Sequence, residues 1–443
     1  MARAQHIPNE LWAAIFDSLT DTELVAASQT CMHWRRLAFD SPGFWSSIKV
    51  DSTSSASLYW ADRRLLASSE RVINLEINIS DATGPVQLEI VQLIEAALER
   101  CCSLLLHLPA PYVLLLHSTL TSPAPLLEQF KFDLVDGCDI PEATVPVNFF
   151  GGSPGQLRFI HLGSIGFTRN ISAFQLVQQV TLSAPASRWI AFPVNIFTAF
   201  PSMTSLCMSG GGLVVRDLPS AEEFGRLSLL DVSFHETHNI TVLTQLPTYV
   251  VPAIIIQHSD RNTVLTAVNQ LSGPITLSLA MFSDSCVQVG FIATETGHFR
   301  IFEELLSDFD PGAQNAASVL DDPEFIARLH SLRVATALWE TLHTLVPEQN
   351  HVEELTLVLD NGPGRFAVFP SPVQPYEALK TLVLQTCDSD VLVAADEVIK
   401  FANAISPTKL NLKFDGVIVN ADLDSWTANF HNIIYPMEHF SCE

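Results

Sequence analysis

Positive charge is scarce in this 443-residue sequence: 23 Lys and Arg stand against 48 Asp and Glu, a formal net charge of −25. Nucleic-acid binding draws on clustered cations that displace counterions from phosphates. Here Arg35-Arg36 and Arg63-Arg64 are isolated pairs that read as solvated helix surface. The same deficit disfavours an anionic membrane. Cysteine spacing is equally unhelpful to a metal or a disulfide framework. Eight Cys include no C-x-x-C and only one adjacent pair, Cys101-Cys102, so reduced, mostly buried thiols in a reducing compartment are expected. Long apolar runs are missing as well. The greasiest stretch, SLLLHLPAPYVLLLH (103–117), is broken by His107, Pro109 and Pro111, short of the ~20 residues a membrane helix needs. The start, MARAQHIPNELW, has no apolar core of signal-peptide length. An intracellular protein, cytoplasmic or nuclear, is expected, in which the sequons at Asn78, Asn170 and Asn239 carry no meaning.

Catalytic signatures are also wanting. No phosphate-binding G-x-x-x-x-G-K-[ST] and no H-E-x-x-H occurs. GGSPG (151–155) fits G-x-S-x-G with Ser153 at the nucleophile position. The next residue, Pro154, has no N–H to give an oxyanion hole, and a strand-like QLRFIHL follows where a helix should start. HETH (235–238) has neither a helix pattern nor a third ligand. SGGGL (209–213) lacks the lysine that phosphate binding needs and reads as a turn. Seven acids and no base between 303 and 324 read as solvated helices with Asp caps. No catalysis, cofactor or metal is expected.

What the sequence does have is apolar bulk, 48% of residues against 16% charged, the balance of a folded, core-rich chain. Four of its seven Trp (Trp12, Trp34, Trp45, Trp60) fall in the first sixty residues. IPNELWAAIFDSL (7–19) reads as a short helix with Pro8 in its first turn and Leu11, Ile15 and Leu19 four apart beside Trp12 and Phe16. Thr20 and Glu23 form a capping-box signature for a second helix carrying Leu24, Val25 and Ala27. Cys31, Trp34 and Leu37 form a third stripe, which Ser41-Pro42-Gly43 stops ahead of Phe44-Trp45. Three short helices enclose little volume. Stripes this wide and aromatic imply a partner for part of the apolar face, and a Trp within a polar rim is a common interface anchor.

The segment IPNELWAAIFDSLTDTELVAASQTCMHWRRLAFDSPGFWSSI resembles an F-box. The pattern falls on Ile7-Pro8, Glu10-Leu11, Ile15-Phe16, Leu19, Leu24, Cys31, Trp34, Arg36-Leu37 and Trp45, with Thr30 and Met32-His33 as departures. The resemblance implies a three-helix module that docks on a Skp-type adaptor and, through it, a cullin. It implies adaptor contacts at Pro8, Leu11, Ile15, Phe16, Leu24 and Cys31, with Leu19, Trp34, Leu37 and Trp45 completing the candidate set. Trp34 and Trp45 have a second reading, holding the module itself together.

Behind the module, at residues 1–50, come a Ser-rich hinge, DSTSSAS, and a helix with Tyr59, Trp60 and Leu65-Leu66, at 51–71. From 72 to 435 a template of apolar-x-x-apolar-x-apolar recurs. Its middle positions at 75, 106, 130, 160, 180, 206, 230 and 254 are separated by 31, 24, 30, 20, 26, 24 and 24 residues. GPITL near 275 and FRIF near 300 fill a gap before further matches at LHSLRV, VEELTL, LKTLVL and KLNLKF. The template alternates as a half-buried strand does, and PVQLEIVQLIEAALERC (85–101) and VLVAADEVIKFANAI (391–405) read as helices between such strands. The spacing resembles a divergent leucine-rich repeat of 20–29 residues, with Cys387 at the position where that family often has Asn or Cys. The expected fold is therefore α + α/β: a three-helix F-box followed by a leucine-rich-repeat-like parallel β/α solenoid. The resemblance implies an adaptor of a ubiquitin ligase holding an unidentified protein client. Two alternatives stand beside it: a repeat scaffold with a vestigial F-box, and a hydrolase using Ser153.

Overall fold

The computed structural model describes residues 8–434, apart from residues 69, 81–85, 136–143, 153–154, 168–170, 194–195, 217, 258, 309–315, 321, 347–350, 360–366, 372–374, 387–390, 421–425 and 427. Ile7, Ser153, Pro154 and Cys387 therefore lie outside the described residues. The chain divides into two compact units, Met1–Arg216 and Asp217–Glu443.

The first unit begins with four helices, α1 (Asn9–Asp17), α2 (Asp21–Thr30), α3 (Met32–Asp40) and the five-residue α4 (Pro42–Ser46). Pro42 ends α3 as expected, and it also opens α4, because a proline needs no helical N–H at a first turn. The chain then passes directly into strand β1 (Ser47–Val50), followed by helix α5 (Ser55–Ala67). Seven strands pair in parallel in the order β1, β2 (Ile73–Asn78), β3 (Cys101–Leu108), β4 (Gln129–Leu134), β5 (Phe159–Gly163), β6 (Gln179–Ser183) and, after the short β7 (Trp189–Ala191), β8 (Ser205–Gly210). β7 pairs separately with β9 (Gly212–Val214).

One lateral row of side chains runs from Ile48 through Leu75, Leu104, Phe130, Ile160 and Val180 to Leu206. All are at most 1% exposed. Each such burial stabilises by roughly 1.5–3 kcal/mol, which fixes register strongly because a one-residue slip would turn the row outward. The row corrects the sequence alignment at one unit. Leu104 sits opposite Leu75, not Leu106 as the template placed it, so the first two intervals become 29 and 26 residues.

The second unit also stacks parallel strands with helices between them, but not throughout. β10 (Leu229–Phe234) pairs in parallel with β11 (Ala253–Gln257). β12 (Ile275–Ser283), β13 (Cys286–Ala293) and β14 (Phe299–Leu305) then form an antiparallel meander. Its last strand, β14, lies beside β11, and its first, β12, lies beside β15 (Leu329–Ala335). From β15 the parallel pattern resumes through β16 (Glu354–Leu359), β17 (Thr381–Thr386), β19 (Leu410–Asp415) and β21 (Phe430–Ile434), with β18 (Val391–Ala394) and β20 (Val417–Asn420) as a separate parallel pair. Both GPITL and FRIF are strands, but they belong to this meander rather than to ordinary repeats. Short turns explain why: Ser283 to Cys286 and Ala293 to His298 leave room for hairpins and none for a crossover helix.

The expected helices are present at Val86–Leu98 and Ala395–Ile405, the second preceded by β18 rather than starting at 391. HETH opens the helix Glu236–Gln245, contrary to expectation. The Asn239 sequon is 1% exposed. Its side chain accepts from Phe234 N–H and donates to the Gln257 carbonyl, tying the end of β10 to the end of β11. The five described cysteines are free, but Cys101 alone among them is buried and Cys31 is exposed, so the expectation of mostly buried thiols fails. No helix among the described residues is long and apolar enough to cross a membrane, and no cluster of three or more metal-binding side chains occurs among them.

Candidate partner-docking face

The wide apolar stripe on α1 is divided by the fold into an inward and an outward half. On α1, Trp12 and Phe16 turn inward, 8% and 1% exposed. One residue back, Leu11 and Ile15 turn outward, 57% and 43% exposed. With Ala14 and Ser18, also exposed, they make a continuous stripe at spacings of three and four. Pro8, which precedes the helix, is exposed too.

An aromatic cluster holds this stripe in place from behind. Trp34 of α3 packs against Trp12 at 5.4 Å and edge-on against Phe16 at 6.0 Å. Leu24, Ala27, Ala38 and Phe44 complete the buried set, with Leu19, Leu37 and Trp45 half-buried around it. Trp45 packs edge-on against Phe44 at 4.8 Å, and its indole N–H donates to the Phe39 carbonyl. Trp12, Trp34 and Trp45 are thus crowded because the module's own interior uses them, whereas Trp60 on α5 is exposed.

Local hydrogen bonds set the helix starts. The Glu23 carboxylate accepts from the Thr20 N–H at 2.8 Å and its hydroxyl at 2.7 Å, completing the expected capping box. The Thr20 backbone bond, then its hydroxyl, hold the Glu23 carboxyl below the usual range. At α3 the cap is Cys31, whose Sγ accepts from Trp34 N–H at 3.4 Å. The residue after it, Met32, is 80% exposed.

Of the candidate contact residues, the structure therefore leaves Pro8, Leu11, Ile15 and Cys31 on the surface. It encloses Phe16 and Leu24, and places Leu19, Trp34, Leu37 and Trp45 partly inside. Two residues escaped the sequence reading. Met32 figured only as a departure from a pattern, and nothing in the sequence marks its exposure, which follows from the Cys31 cap. Arg64 was read as solvated surface and is 4% exposed. Its guanidinium lies 5.1 Å over the Phe44 ring and donates to the carbonyls of Phe44 and Ser47, so it joins α5 to the helical module. Arg63, by contrast, is exposed and lies over Tyr59.

Residues 4–50 match the F-box-like family. The match covers the four helices and β1, so the F-box-like module runs directly into the sheet. No curated protein matches the chain.

The sheet offers a second surface in each unit. In the first, the outward row is Lys49, Glu76, Leu105, Lys131, His161, Thr181 and Cys207. Asp133 reaches from β4 to His161 Nε2 at 2.8 Å, and Lys131 reaches Asp133 at 3.0 Å. Ser183 Oγ lies 2.9 Å from the same His161 nitrogen. This is not a catalytic relay, which requires the acid on one ring nitrogen and the nucleophile on the other. Burial alone would raise the Asp133 carboxyl; hydrogen bonds and charge from His161 and then Lys131 outweigh it and hold the carboxyl low. In the second unit, Arg333 spans strands to meet Ser278 at 3.2 Å and Gln385 at 2.9 Å, and Gln385 donates to Asp415 at 2.7 Å. The first network draws side chains from β4, β5 and β6, and the second from β12, β15, β17 and β19.

Proposed function

We propose that this chain is the substrate-receptor subunit of a Skp–cullin–F-box ubiquitin ligase. Its F-box-like module binds the Skp-type adaptor, and its sheets hold a protein client close to the ubiquitin-conjugating machinery, where transfer gains from proximity. The single observation that carries the reading is the family match at residues 4–50. It is supported by an α1 that presents Leu11 and Ile15 to solvent while aromatic packing holds their helix rigid. An apolar helix stripe of this kind suits insertion in a partner's groove. The adaptor footprint is Pro8, Leu11, Ile15, Cys31 and Met32, with the buried members of the candidate set acting through the shape they give it.

The repeats are divergent leucine-rich repeats in this proposal. Parallel strands at 20–30-residue intervals and the strand-tying Asn239 favour that assignment. The boundaries proposed from sequence, 1–50, 51–71 and 72–435, then mark module, linker and repeats. Capture of the Skp-type adaptor by the full chain is the test. The Leu11→Asp/Ile15→Asp variant should lose the adaptor while keeping its circular dichroism spectrum. Equal recovery from wild type and variant sinks the proposal, and a wild type that never captures the adaptor favours a repeat scaffold with a vestigial module.

A further inference from the structure

The glycine triplet Gly210–Gly212 is no simple turn: it ends β8, opens β9 and forms a wall against the segment 184–191. A Cβ on Gly211 would stand 2.4 Å from the Ala186 carbonyl oxygen and 2.8 Å from that of Arg188. A Cβ on Gly212 would stand 3.0 Å from the Trp189 ring. Only bare backbone permits this approach, and Gly211 N–H donates to the Arg188 carbonyl across it at 2.6 Å. The pairing of β7 with β9 completes the closure.

Closing that segment leaves a cavity of about 410 Å³ at the carboxyl ends of β5 and β6. The volume suits a small-ligand site, and parallel sheets characteristically bind ligands at that end of their strands. Ser164, on its rim, has φ 58°, the left-handed region. A non-glycine residue held there costs on the order of 1 kcal/mol, and such strain gathers at binding sites. Its N–H donates to the Ser183 carbonyl at 2.7 Å, which holds the rim to β6.

Leu162, Ile165, Phe167 and Ile190 give the lining an apolar side, beside the hydroxyl-bearing Thr144, Ser164 and Ser183. Among the described residues of the lining, Arg188 is the one that carries a charge. We infer that this cavity binds the carboxyl-terminal residue of a peptide, its apolar side chain against the lining and its terminal carboxylate on Arg188. A chain end places an anion and an apolar group on the same residue. An internal acidic residue would instead bring backbone amides on both sides of the anion against Leu162, Ile165, Phe167 and Ile190, whose side chains offer them no hydrogen bond, at a desolvation cost. That the peptide is a client's tail rests on the receptor reading above; the binding chemistry does not.

The test titrates the full chain calorimetrically with three probes: Ac-Ala-Ala-Leu-Phe as the free acid, the same peptide as its carboxamide, and the carboxamide Ac-Ala-Glu-Leu-Phe-NH2. The free acid should bind at least about tenfold more tightly than either amide, a difference of about 1.4 kcal/mol. Arg188→Gln should erase the difference, and Ala191→Trp, which fills the cavity from an exposed lining position, should abolish binding of the acid. Equal affinities, absence of binding by the acid, or a preference that survives in either variant overturns the inference. Adaptor capture by both variants should match wild type, so this site and the receptor reading fail separately.

Discussion

Arg64 and Phe44 stand 20 residues apart and meet face to face: the guanidinium lies 5.1 Å above the ring while its Nε donates 2.9 Å to the Phe44 carbonyl. This pair joins the F-box-like helices to the helix that follows them. Leaving a buried carbonyl without its charged donor typically costs about 1–3 kcal/mol. Arg64→Ala should therefore lower the stability of the first unit by about that amount in urea denaturation. Arg64→Lys, which cannot present a planar fork to two carbonyls, should recover less than half. A surface role, with changes below about 0.5 kcal/mol in both variants, would contradict the packing.

The inward and outward stripes of α1 should separate stability from partner binding. Phe16→Ala removes a core ring and should destabilise by about 3–5 kcal/mol. Leu11→Ala removes an exposed side chain and should change stability by no more than about 0.5 kcal/mol while weakening adaptor capture. Thermal melts read beside a quantitative pull-down check both halves.

Gly163 makes the Asp133–His161 contact possible. A Cβ there would fall 2.0 Å from Asp133 Oδ1, so Gly163→Ala must displace the carboxylate. A loss of about 1–3 kcal/mol is expected, the usual range for overpacking. The double variant Gly163→Ala/Asp133→Ala should be less than additive, because the second change removes the atom struck by the first. Strict additivity in a double-mutant cycle would contradict the geometry.

Asp133 also sets an acid limb for the first unit. Its carboxyl is held below its unfolded value by His161 and Lys131 against the opposing effect of burial. The unfolded chain therefore takes up this proton first as pH falls. The stabilisation is complete above the unfolded carboxyl pKa of about 3.9 and is lost as pH drops through the lower folded value. Wild type should lose stability more steeply than Asp133→Asn below about pH 4; parallel pH profiles would refute the assignment.

Arg300 is the one charge in an otherwise apolar row between Ile254 and Phe291, and it is fully buried. Burial pushes its pKa down to about 10, and it donates to the carbonyls of Val251, Pro252 and Phe299. Arg300→Ala leaves those acceptors and a void, and a loss of about 3 kcal/mol is expected from calorimetry. An unchanged transition would mean that the arginine contributes nothing net to the second unit.

Much of the architecture was legible because burial imposes a period. The rows through Phe130, Ile160 and Val180 alternate so regularly that strand position follows from spacing alone. The capping box at Thr20 and Glu23 was equally readable, since its bonds are local. What escaped depended on contacts distant in sequence. Nothing in ADRRLL tells Arg64, which is buried, from Arg63, which is exposed. Apolar periodicity could not divide Leu11 from Trp12, because both lie on one wide stripe and only the packing of Trp34 decides which faces inward. The meander was hidden because β12 and β14 alternate in burial just as the parallel strands do. Strand direction leaves no mark on alternation.

That meander governs the order in which the second unit is assembled at the ribosome. In its parallel runs, each strand's neighbour emerges next, so an open edge is covered almost as soon as it forms. β11 waits instead for β14, whose first residue, Phe299, follows Gln257 by some 40 positions. At 5–20 residues per second this edge stands bare for roughly 2–8 s. Its sequence, AIIIQ, is a short β-branched strand with no charge to repel another chain. The interval between those two strands is a period in which nascent chains of this protein stand exposed to pairing with one another.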